Sequence, residues 1–221
     1  MTVDPSKLSG LIPAAGAGSR LGLGPKALLE IGGKSLLRGL VDKLLRVADE
    51  VIIAVPAGRE GEFAAAYPDC RCIPGGASRQ DSVRRLAEAS THGWTILHDA
   101  ARPFASEALL RNVADAARQS GCAGAFLDPE VPVARLSEGL AVEALARGQA
   151  GIFQAPQAFA REILLDLVRR ADAHAWQEQS TMQLALRAGI TVRAVAGEKT
   201  NIKLTTIEDW NMARHLAGLS Q

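Results

Sequence analysis

The sequence predicts a single α/β domain, residues 1–221, in which a mainly parallel, twisted, Rossmann-like sheet is flanked by helices. Short apolar runs alternate along the chain with longer amphipathic stretches, which is the pattern of strands alternating with helices. Strands joined by helical crossovers lie parallel in one sheet. The chain is also long enough to bury one substantial core. Ligands bind such sheets at the carboxyl ends of the strands, so we expect the functional residues there.

The individual elements follow from the apolar patterns and their flanking residues. Short apolar runs predict strands at residues 11–14, 51–55, 94–97 and 122–127. Amphipathic patterns that open with a potential capping serine predict helices over residues 35–47, 78–90 and 106–119. Later in the chain we expect helices near 158–171 and 180–188, a strand near 191–196 and a last helix over about 206–216.

One segment, at about 128–151, interrupts this alternation. It contains prolines and glycines and shows no helical pattern until residues 141–146. Loops longer than about 12–15 residues are uncommon unless they have a function. We therefore predict an arm that protrudes from the domain, with a plain surface loop as the alternative.

Composition excludes several classes of function. The chain carries 25 basic and 24 acidic residues, a formal net charge of +1, so it lacks the basic surface expected for nucleic-acid binding. It contains no apolar run of membrane-spanning length and begins without a signal-peptide pattern, which predicts a cytoplasmic protein with no membrane partner. The odd set Cys70, Cys72 and Cys122 argues against disulfides and predicts small, buried or half-buried thiols. The histidines lack metal-ligand spacing, so we expect no metal site formed by protein ligands alone.

The strongest local signal is a loop of very small residues directly after the first predicted strand. Small side chains and glycines let backbone N–H groups approach a phosphate closely. Arg20 and Lys26 follow and add positive charge against phosphate oxygens. The spacing fits neither a dinucleotide-binding glycine motif nor a P-loop, because Leu21 and Leu28 stand where those motifs need glycine. The residues alone leave open a flexible turn with two chance cations. The expected phosphate-binding residues are Pro13, Ala14, Ala15, Gly16, Ala17, Gly18 and Ser19.

Three further segments make the interpretation more specific. They read GGASRQDSV from Gly75, HDAARPF from His98 and NIK from Asn201. Together with the first loop, in this order and spacing, they resemble the 2-C-methyl-D-erythritol 4-phosphate cytidylyltransferase family of the sugar-nucleotide pyrophosphorylase-like nucleotidyltransferases. The resemblance covers nearly the whole chain, and it also admits a close relative that acts on ribitol 5-phosphate.

The resemblance implies a reaction and a set of residues. The family transfers CMP from CTP to 2-C-methyl-D-erythritol 4-phosphate in the non-mevalonate isoprenoid pathway, releasing pyrophosphate. Mg²⁺ would be bound mainly through the CTP phosphates, and the arm would pair two subunits into a homodimer. The residues implied to be catalytic are Arg20, Lys26 and Lys203. Those implied to bind the nucleotide are the first loop with Gly75, Gly76 and Ser82. Those implied to bind the acceptor are Asp99, Arg102, Arg135 and Arg147, the last of them reaching the site of the partner subunit.

Three short stretches differ from the family pattern, all on the acceptor side. Residues 132–135 read Pro-Val-Ala-Arg where the family usually has Asp-Thr and a basic residue, and residues 154–157 read Gln-Ala-Pro-Gln in place of Thr-Pro-Gln. Residues 179–182 read Gln-Ser-Thr-Met where an acidic stretch is expected. Two hydroxyls are thereby lost, unless Ser180, Thr181 or water replaces them. The sequence thus leaves open another alditol phosphate as acceptor, or a non-catalytic CTP-binding protein.

Overall fold

A computed structural model describes residues 3–16 and 26–219 of the chain. The strands are β1 (Asp4–Pro13), β2 (Glu30–Ile31), β3 (Lys34–Ser35), β4 (Glu50–Val55), β5 (Arg71–Pro74), β6 (His92–Leu97), β7 (Cys122–Leu127), β8 (Val133–Ser137), β9 (Leu140–Leu145), β10 (Ile152–Ala160) and β11 (Arg193–Ala196). The α-helices are α1 (Leu36–Leu44), α2 (Glu60–Ala66), α3 (Arg79–Ala89), α4 (Glu107–Ser120), α5 (Arg161–Ala173), α6 (Thr181–Arg187) and α7 (Ile207–Leu219), and a 3₁₀ turn spans Lys26–Leu28.

Seven of these strands form one twisted sheet in the order β11-β7-β10-β6-β1-β4-β5. The pairs β1–β4, β1–β6, β4–β5 and β7–β11 are parallel, whereas β10 runs antiparallel to both β6 and β7. The predicted α/β class with a mainly parallel sheet is therefore confirmed. The sequence patterns missed β5, α2 and β10, and they started the fifth helix about three residues too early, because the apolar end of β10 runs directly into α5.

The predicted capping serines begin the helices as expected. The side-chain hydroxyls of Ser35, Ser78 and Ser106 each accept a hydrogen bond from the backbone N–H three residues later, and Ser180, for which no cap was predicted, does the same at α6. Each cap satisfies one of the N–H groups that a helix end leaves without a partner. These local bonds explain why the helix starts were readable from sequence alone.

Helices cover both faces of the sheet, and the sheet separates two buried apolar layers. One layer is formed with α1, α2 and α4, and the other with α3, α5 and α6. The cysteines are free thiols, and burial raises the pKa of Cys70 to about 11 and that of Cys122 to about 12. This confirms that they are buried or half-buried residues. Within the described part of the chain, none of the helices combines the length and the apolar character needed to cross a membrane.

The segment 128–151 forms a β-hairpin, so the helical pattern assigned to residues 141–146 was wrong. Strands β8 and β9 pair antiparallel, and the turn between them places Glu138 at φ 50° and Gly139 at φ 81°. Two consecutive positive φ angles suit the twist of a two-residue hairpin, and that turn fixes the register. The hairpin side chains Val131, Leu136 and Leu140 are each about 70% exposed in this single chain.

Candidate active site

The carboxyl ends of β1, β5 and β6 meet at one edge of the sheet and surround a cavity of about 540 Å³, here called the first cavity. Its wall includes the predicted phosphate-binding residues Pro13, Ala14, Ala15 and Gly16. The Ala14 N–H donates to the Ala54 carbonyl at 2.8 Å, which continues the parallel pairing past the end of β1. The first loop is thus anchored to the sheet up to the cavity. Ala17, Gly18, Ser19 and Arg20 lie outside the described residues.

A second loop, which connects β5 to α3, forms another wall of the first cavity. The Gly75 N–H donates to the Val55 carbonyl at 2.7 Å, and the Gly76 N–H donates to Ser82 Oγ at 3.0 Å. Ser82 Oγ donates in turn to the Ser78 carbonyl at 2.9 Å. Of the three predicted nucleotide-binding residues in this segment, Gly76 and Ser82 line the cavity, and Gly75 supports it from behind.

Only glycine fits at both positions of this loop. A Cβ atom at Gly75 would overlap the Cβ of Ala15, and one at Gly76 would overlap the carboxylate of Asp81. The two loops therefore touch each other through their smallest residues. We expect this contact to set the spacing of the two loops that flank the first cavity.

Two of the three predicted catalytic cations reach the first cavity from opposite ends of the chain. Lys26, in the 3₁₀ turn, donates from Nζ to the Leu204 carbonyl at 2.8 Å. Lys203 directly precedes that carbonyl, and its own Nζ lies 3.1 Å from Asp99 Oδ2. The structure thus brings Lys26 and Lys203, two residues predicted to be catalytic, to the same cavity.

Asp99 lies between two cations at the end of β6. Its Oδ1 accepts from Arg79 Nη2 at 2.8 Å, and its Oδ2 accepts from Lys203. Burial alone would raise the pKa of Asp99, but the charges and hydrogen bonds of Arg79 and Lys203 outweigh it and hold the pKa well below its ordinary value. Asp99 is therefore an ionised carboxylate that fixes both cations.

Arg79 was quoted in the sequence motif, but sequence reasoning gave it no role. It stands in the first turn of α3, where a positive charge opposes the helix dipole. A cation at that position needs a nearby carboxylate, which Asp99 supplies through Arg79 Nε at 3.1 Å and Nη2 at 2.8 Å. This unfavourable placement was the signal that could have identified Arg79.

A smaller cavity of about 320 Å³, the second cavity, adjoins the first. Arg79, Asp99 and Lys203 line both cavities, so the three residues form the boundary between them. Beyond this boundary the wall comes from Arg102, from residues 152–155 and 157 of β10 and from residues at the start of α6. Asp99 and Arg102, both predicted to bind the acceptor, therefore meet in the second cavity.

Arg102 and Gln154 tie the second cavity to the segment that precedes Lys203. Arg102 Nη1 donates to the Asn201 carbonyl at 2.6 Å, and Arg102 Nη2 donates to the Phe153 carbonyl at 3.4 Å. Gln154 Nε2 donates to the Glu198 carbonyl at 3.0 Å. These bonds hold residues 198–201 against β10 and thereby position Lys203.

The residues that depart from the family pattern are distributed unevenly. Ala155 and Ser180 line the second cavity, together with Gln179 and Gln183. Thr181 is 2% exposed and is not among the residues that line this cavity, so it does not replace a missing hydroxyl there. Val133 lies on β8 in the hairpin.

The two hairpin arginines are not brought to this site within a single chain. Arg135 pairs across the hairpin with Glu143, with Nε 2.9 Å from Oε2, and both side chains are more than half exposed. Arg147 follows β9 and is exposed. Among the described residues, neither arginine lines the first or the second cavity.

His98 precedes Asp99 and is fully buried. Burial lowers the pKa of His98 to about 4, so the ring is neutral near physiological pH. Its Nδ1 lies 3.0 Å from the Asp99 carbonyl, and His98 does not line either cavity. His98 therefore packs at the end of β6, away from the walls of both cavities.

Comparisons with known proteins identify the family of the chain. A family model described as 2-C-methyl-D-erythritol 4-phosphate cytidylyltransferase matches residues 8–218. A protein of that name from Deinococcus radiodurans is 40% identical over 212 residues, which cover 96% of this chain and 90% of the relative. One from Thermus thermophilus is 37% identical over 214 residues, which cover 96% of this chain and 97% of that relative.

Solved structures of proteins with the same or an equivalent name are similar to this chain. The crystal structure of the 2-C-methyl-D-erythritol 4-phosphate cytidylyltransferase from T. thermophilus superposes with a TM-score of 0.81 at 33% identity, covering 96% of this chain and 99% of that one. The structure of an Anaerococcus prevotii 4-diphosphocytidyl-2C-methyl-D-erythritol synthase, at 24% identity and a TM-score of 0.85, shows the shared fold. The chain belongs to the 2-C-methyl-D-erythritol 4-phosphate cytidylyltransferase family.

Proposed function

We propose that this chain transfers CMP from CTP to 2-C-methyl-D-erythritol 4-phosphate, giving the CDP-alditol and pyrophosphate in the non-mevalonate pathway. The observation that carries the proposal is the boundary at which the two cavities share Arg79, Asp99 and Lys203. A reaction between two phosphate compounds needs two adjacent pockets with cations where the anions meet. The family to which the chain belongs carries out this reaction, as its name states.

The first cavity suits CTP. Its small-residue loop offers close backbone approach to the triphosphate, and its second loop offers contacts to the base. The N–H groups of Gly75, Gly76 and Ala77 all donate within the protein. With these N–H groups engaged, we assign recognition of the N4 amino group of cytosine to the carbonyl oxygens of the loop, whereas uracil has only an oxygen there. Selection for CTP follows from that difference.

The catalysis is one of positioning and electrostatics. An oxygen of the acceptor phosphate attacks the α-phosphorus of CTP, a new P–O bond forms, and the bond to the β-phosphate breaks as pyrophosphate leaves in line. Because the nucleophile is already an anion, no general base is required. Lys203 stands at the boundary where the two phosphates meet, while Lys26 and Arg20 act towards the triphosphate. Fixed cations at such a point stabilise the charge of the transition state.

The protein's residues fit a Mg²⁺ ion that is bound mainly through the CTP phosphates. Among the described residues, no group of three histidine, cysteine, aspartate or glutamate side chains could hold a metal. Both oxygens of Asp99 are already bound by cations. When bound, the ion would neutralise charge on the triphosphate, keeping several water ligands. The chain's own task is to orient the phosphates with Lys26, Lys203 and Arg20.

Two other functions stay open as alternatives. The altered acceptor side leaves ribitol 5-phosphate or another alditol phosphate as a candidate acceptor. A non-catalytic CTP-binding protein would not need Lys203 at the boundary between two cavities, where it contacts Asp99. That position favours catalysis over binding alone.

The test is a pyrophosphate-release assay with CTP, UTP, ATP or GTP and a panel of alditol phosphates. We expect turnover with CTP and 2-C-methyl-D-erythritol 4-phosphate far above that of any other pair. Equal turnover with UTP would reject the assignment of the base pocket. Faster turnover with ribitol 5-phosphate would reject the acceptor, and no turnover with any acceptor would favour the non-catalytic alternative.

We further propose that the chain forms a cytoplasmic homodimer in which each hairpin completes the acceptor site of its partner. The support is the exposed apolar side chains of Val131, Leu136 and Leu140, which need cover. Two such hairpins related by a two-fold axis would cover each other. Light scattering at working concentration should report a dimer, and a monomer would contradict the proposal.

Subunit mixing tests the shared site. In a mixed dimer of Arg147→Ala and Lys26→Ala subunits, one site carries both changes and the other carries neither. We therefore expect partial recovery of activity on mixing. Confirmed subunit exchange without recovery would mean that Arg147 does not serve the partner's site.

A further inference from the structure

The second cavity contains a buried polar atom that lacks a partner. Gln157, in the central part of β10, is 3% exposed and lines the cavity. Its Nε2 lies 3.5 Å from the Gln154 carbonyl, but its Oε1 has no hydrogen-bond partner among the described residues. Buried acceptors are seldom left without a partner, because desolvation is then uncompensated. Gln157 lines the second cavity, so a ligand bound there is one source of a partner for Oε1.

A complementary donor belongs to the same cavity. Arg102 uses Nη1 and Nη2 for main-chain carbonyls, but its buried Nε has no partner in the described part of the chain. An unpaired acceptor and an unpaired donor together match a hydroxyl group, which can donate one hydrogen bond and accept others. An alditol phosphate carries several hydroxyls, whereas an apolar ligand would leave both atoms unsatisfied.

The backbone holds Gln157 rigidly in this position. Its Cα is in register with Leu97 on β6 and with Gly124 on β7, so neighbouring strands fix it on both sides. A recognition group placed on a central strand is held more accurately than one on a loop. Hydrogen-bonding sites of this kind discriminate strongly against substrates that lack the hydroxyl.

We propose that Gln157 is a specificity-determining residue for the acceptor, and that its Oε1 accepts a hydrogen bond from a hydroxyl of the alditol phosphate bound beside Arg102. The inference rests on the proposed cytidylyltransferase function. It also assigns to this chain a polar contact on the acceptor side, where the hydroxyls expected at positions 133 and 155 are replaced by Val133 and Ala155.

The test is Gln157→Leu, which keeps the approximate volume and removes the polar atoms. We expect KM for the acceptor to rise about tenfold or more, because a buried hydrogen bond is lost, while KM for CTP stays within about twofold. The melting temperature should stay the same or rise, since an unsatisfied acceptor is removed from the free protein. A purely structural role would instead lower the melting temperature and leave KM unchanged.

Mono-deoxy analogues of 2-C-methyl-D-erythritol 4-phosphate make the test specific. For one analogue, the wild-type protein should lose about tenfold or more in kcat/KM, and Gln157→Leu should lose less than about twofold. If the wild type and Gln157→Leu lose kcat/KM equally for every analogue, the proposal is overturned. That result is the one expected if a water molecule, and not the acceptor, is the partner of Oε1. If Gln157→Leu does not fold, Gln157→Met serves in the same comparison.

A matched control is Gln177→Leu, since Gln177 is exposed and is not among the residues that line the second cavity. It should leave both KM values and all analogue ratios unchanged. Wild-type protein that is inactive with every alditol phosphate would overturn the proposed function and this inference with it. Active wild-type protein without coupling between Gln157 and a hydroxyl would overturn this inference alone.

Discussion

The two cavities of this protein are built in different ways. The first is enclosed by backbone and by the smallest side chains, such as Ala15 packed against Gly75. The second is enclosed by long polar side chains, such as Arg102 and Gln154, whose partners are carbonyl groups of residues 153–201. Substitutions that add atoms should therefore impair ligand binding in the first cavity, and substitutions that remove polar atoms should impair it in the second. Removing a cation at the boundary should affect the reaction of both ligands.

The largest effect is expected at the boundary. Lys203→Gln removes the charge that faces both cavities and contacts Asp99. Removing one positioned transition-state group typically lowers kcat by about 10²–10³, and we expect a loss of that size with a small change in melting temperature. Steady-state kinetics and thermal melts measure the two quantities.

The control for that variant is Lys199→Gln, four residues earlier. The Lys199 side chain is 77% exposed and pairs with Glu130 on the surface. The Lys199→Gln variant should retain wild-type turnover. Near-normal kcat in Lys203→Gln, or an equal loss in both variants, would show that the boundary charge is not used in the reaction.

A smaller effect is expected from adding one methyl group between the two loops that flank the first cavity. In Gly75→Ala the new Cβ overlaps the Cβ of Ala15, so the two loops must move apart. We expect KM for CTP to rise by about tenfold, because a misplacement of this size is costly in a positioned site. KM for the acceptor should change much less.

A second substitution sharpens this prediction. Ala15→Gly removes the atom that the new methyl group meets, so the double variant should regain part of the affinity for CTP. Gly39→Ala, where a Cβ meets nothing within 4 Å, is the control and should bind CTP normally. An unimproved double variant would mean that the contact with Ala15 does not set the cavity width.

A still smaller effect is expected for Arg79→Gln. Asp99 keeps Lys203 as a partner in this variant, so we expect only a several-fold loss of turnover, while the pKa of Asp99 rises because one of its two cations is gone. Asp99 is then protonated at a higher pH than in the wild type. NMR titration of the Asp99 carboxylate should report this rise in pKa, and the control Arg85→Gln on the same helix should leave the pKa of Asp99 unchanged.

The sequence predicted what local interactions determine. The capping serines, the four apolar strands and the small-residue loop all depend on neighbours within a few residues. The three predicted caps and three of the strands lie close to their predicted positions, but β1 begins at Asp4, well before the predicted start at residue 11, and the loop beyond Gly16 lies outside the described residues. The chain's strand β10 was missed, since a strand that is antiparallel in a parallel sheet depends on distant partners. The hairpin strand β9 was mistaken for a helical pattern because six residues carry too little periodicity to decide.

The site shows the same limit. Lys26 and Lys203 could be named because they stand in recognisable motifs. Arg79 and Gln157 could not be assigned roles, since those depend on contacts made across the fold. Arg79 contacts Asp99, which is 20 residues away in sequence. Gln157 is notable only because no described residue satisfies its Oε1.

The smallest effect is expected for two substitutions in the hairpin, which should change the free energy of unfolding alike but differ in KM for the acceptor. The pair of Arg135 and Glu143 is exposed on both sides, and such pairs contribute only about 0–1 kcal/mol to folding. Arg135→Gln and Glu143→Gln should therefore lower the free energy of unfolding equally and slightly. They should differ in kinetics, since Arg135 is predicted to bind the acceptor and Glu143 is not. If the hairpin reaches the partner's second cavity, Arg135→Gln raises KM for the acceptor by a few-fold, and Glu143→Gln, which breaks the same ion pair but keeps the cation, leaves it unchanged or lowers it. Equal KM values in the two variants would restrict Arg135 to the surface of the hairpin.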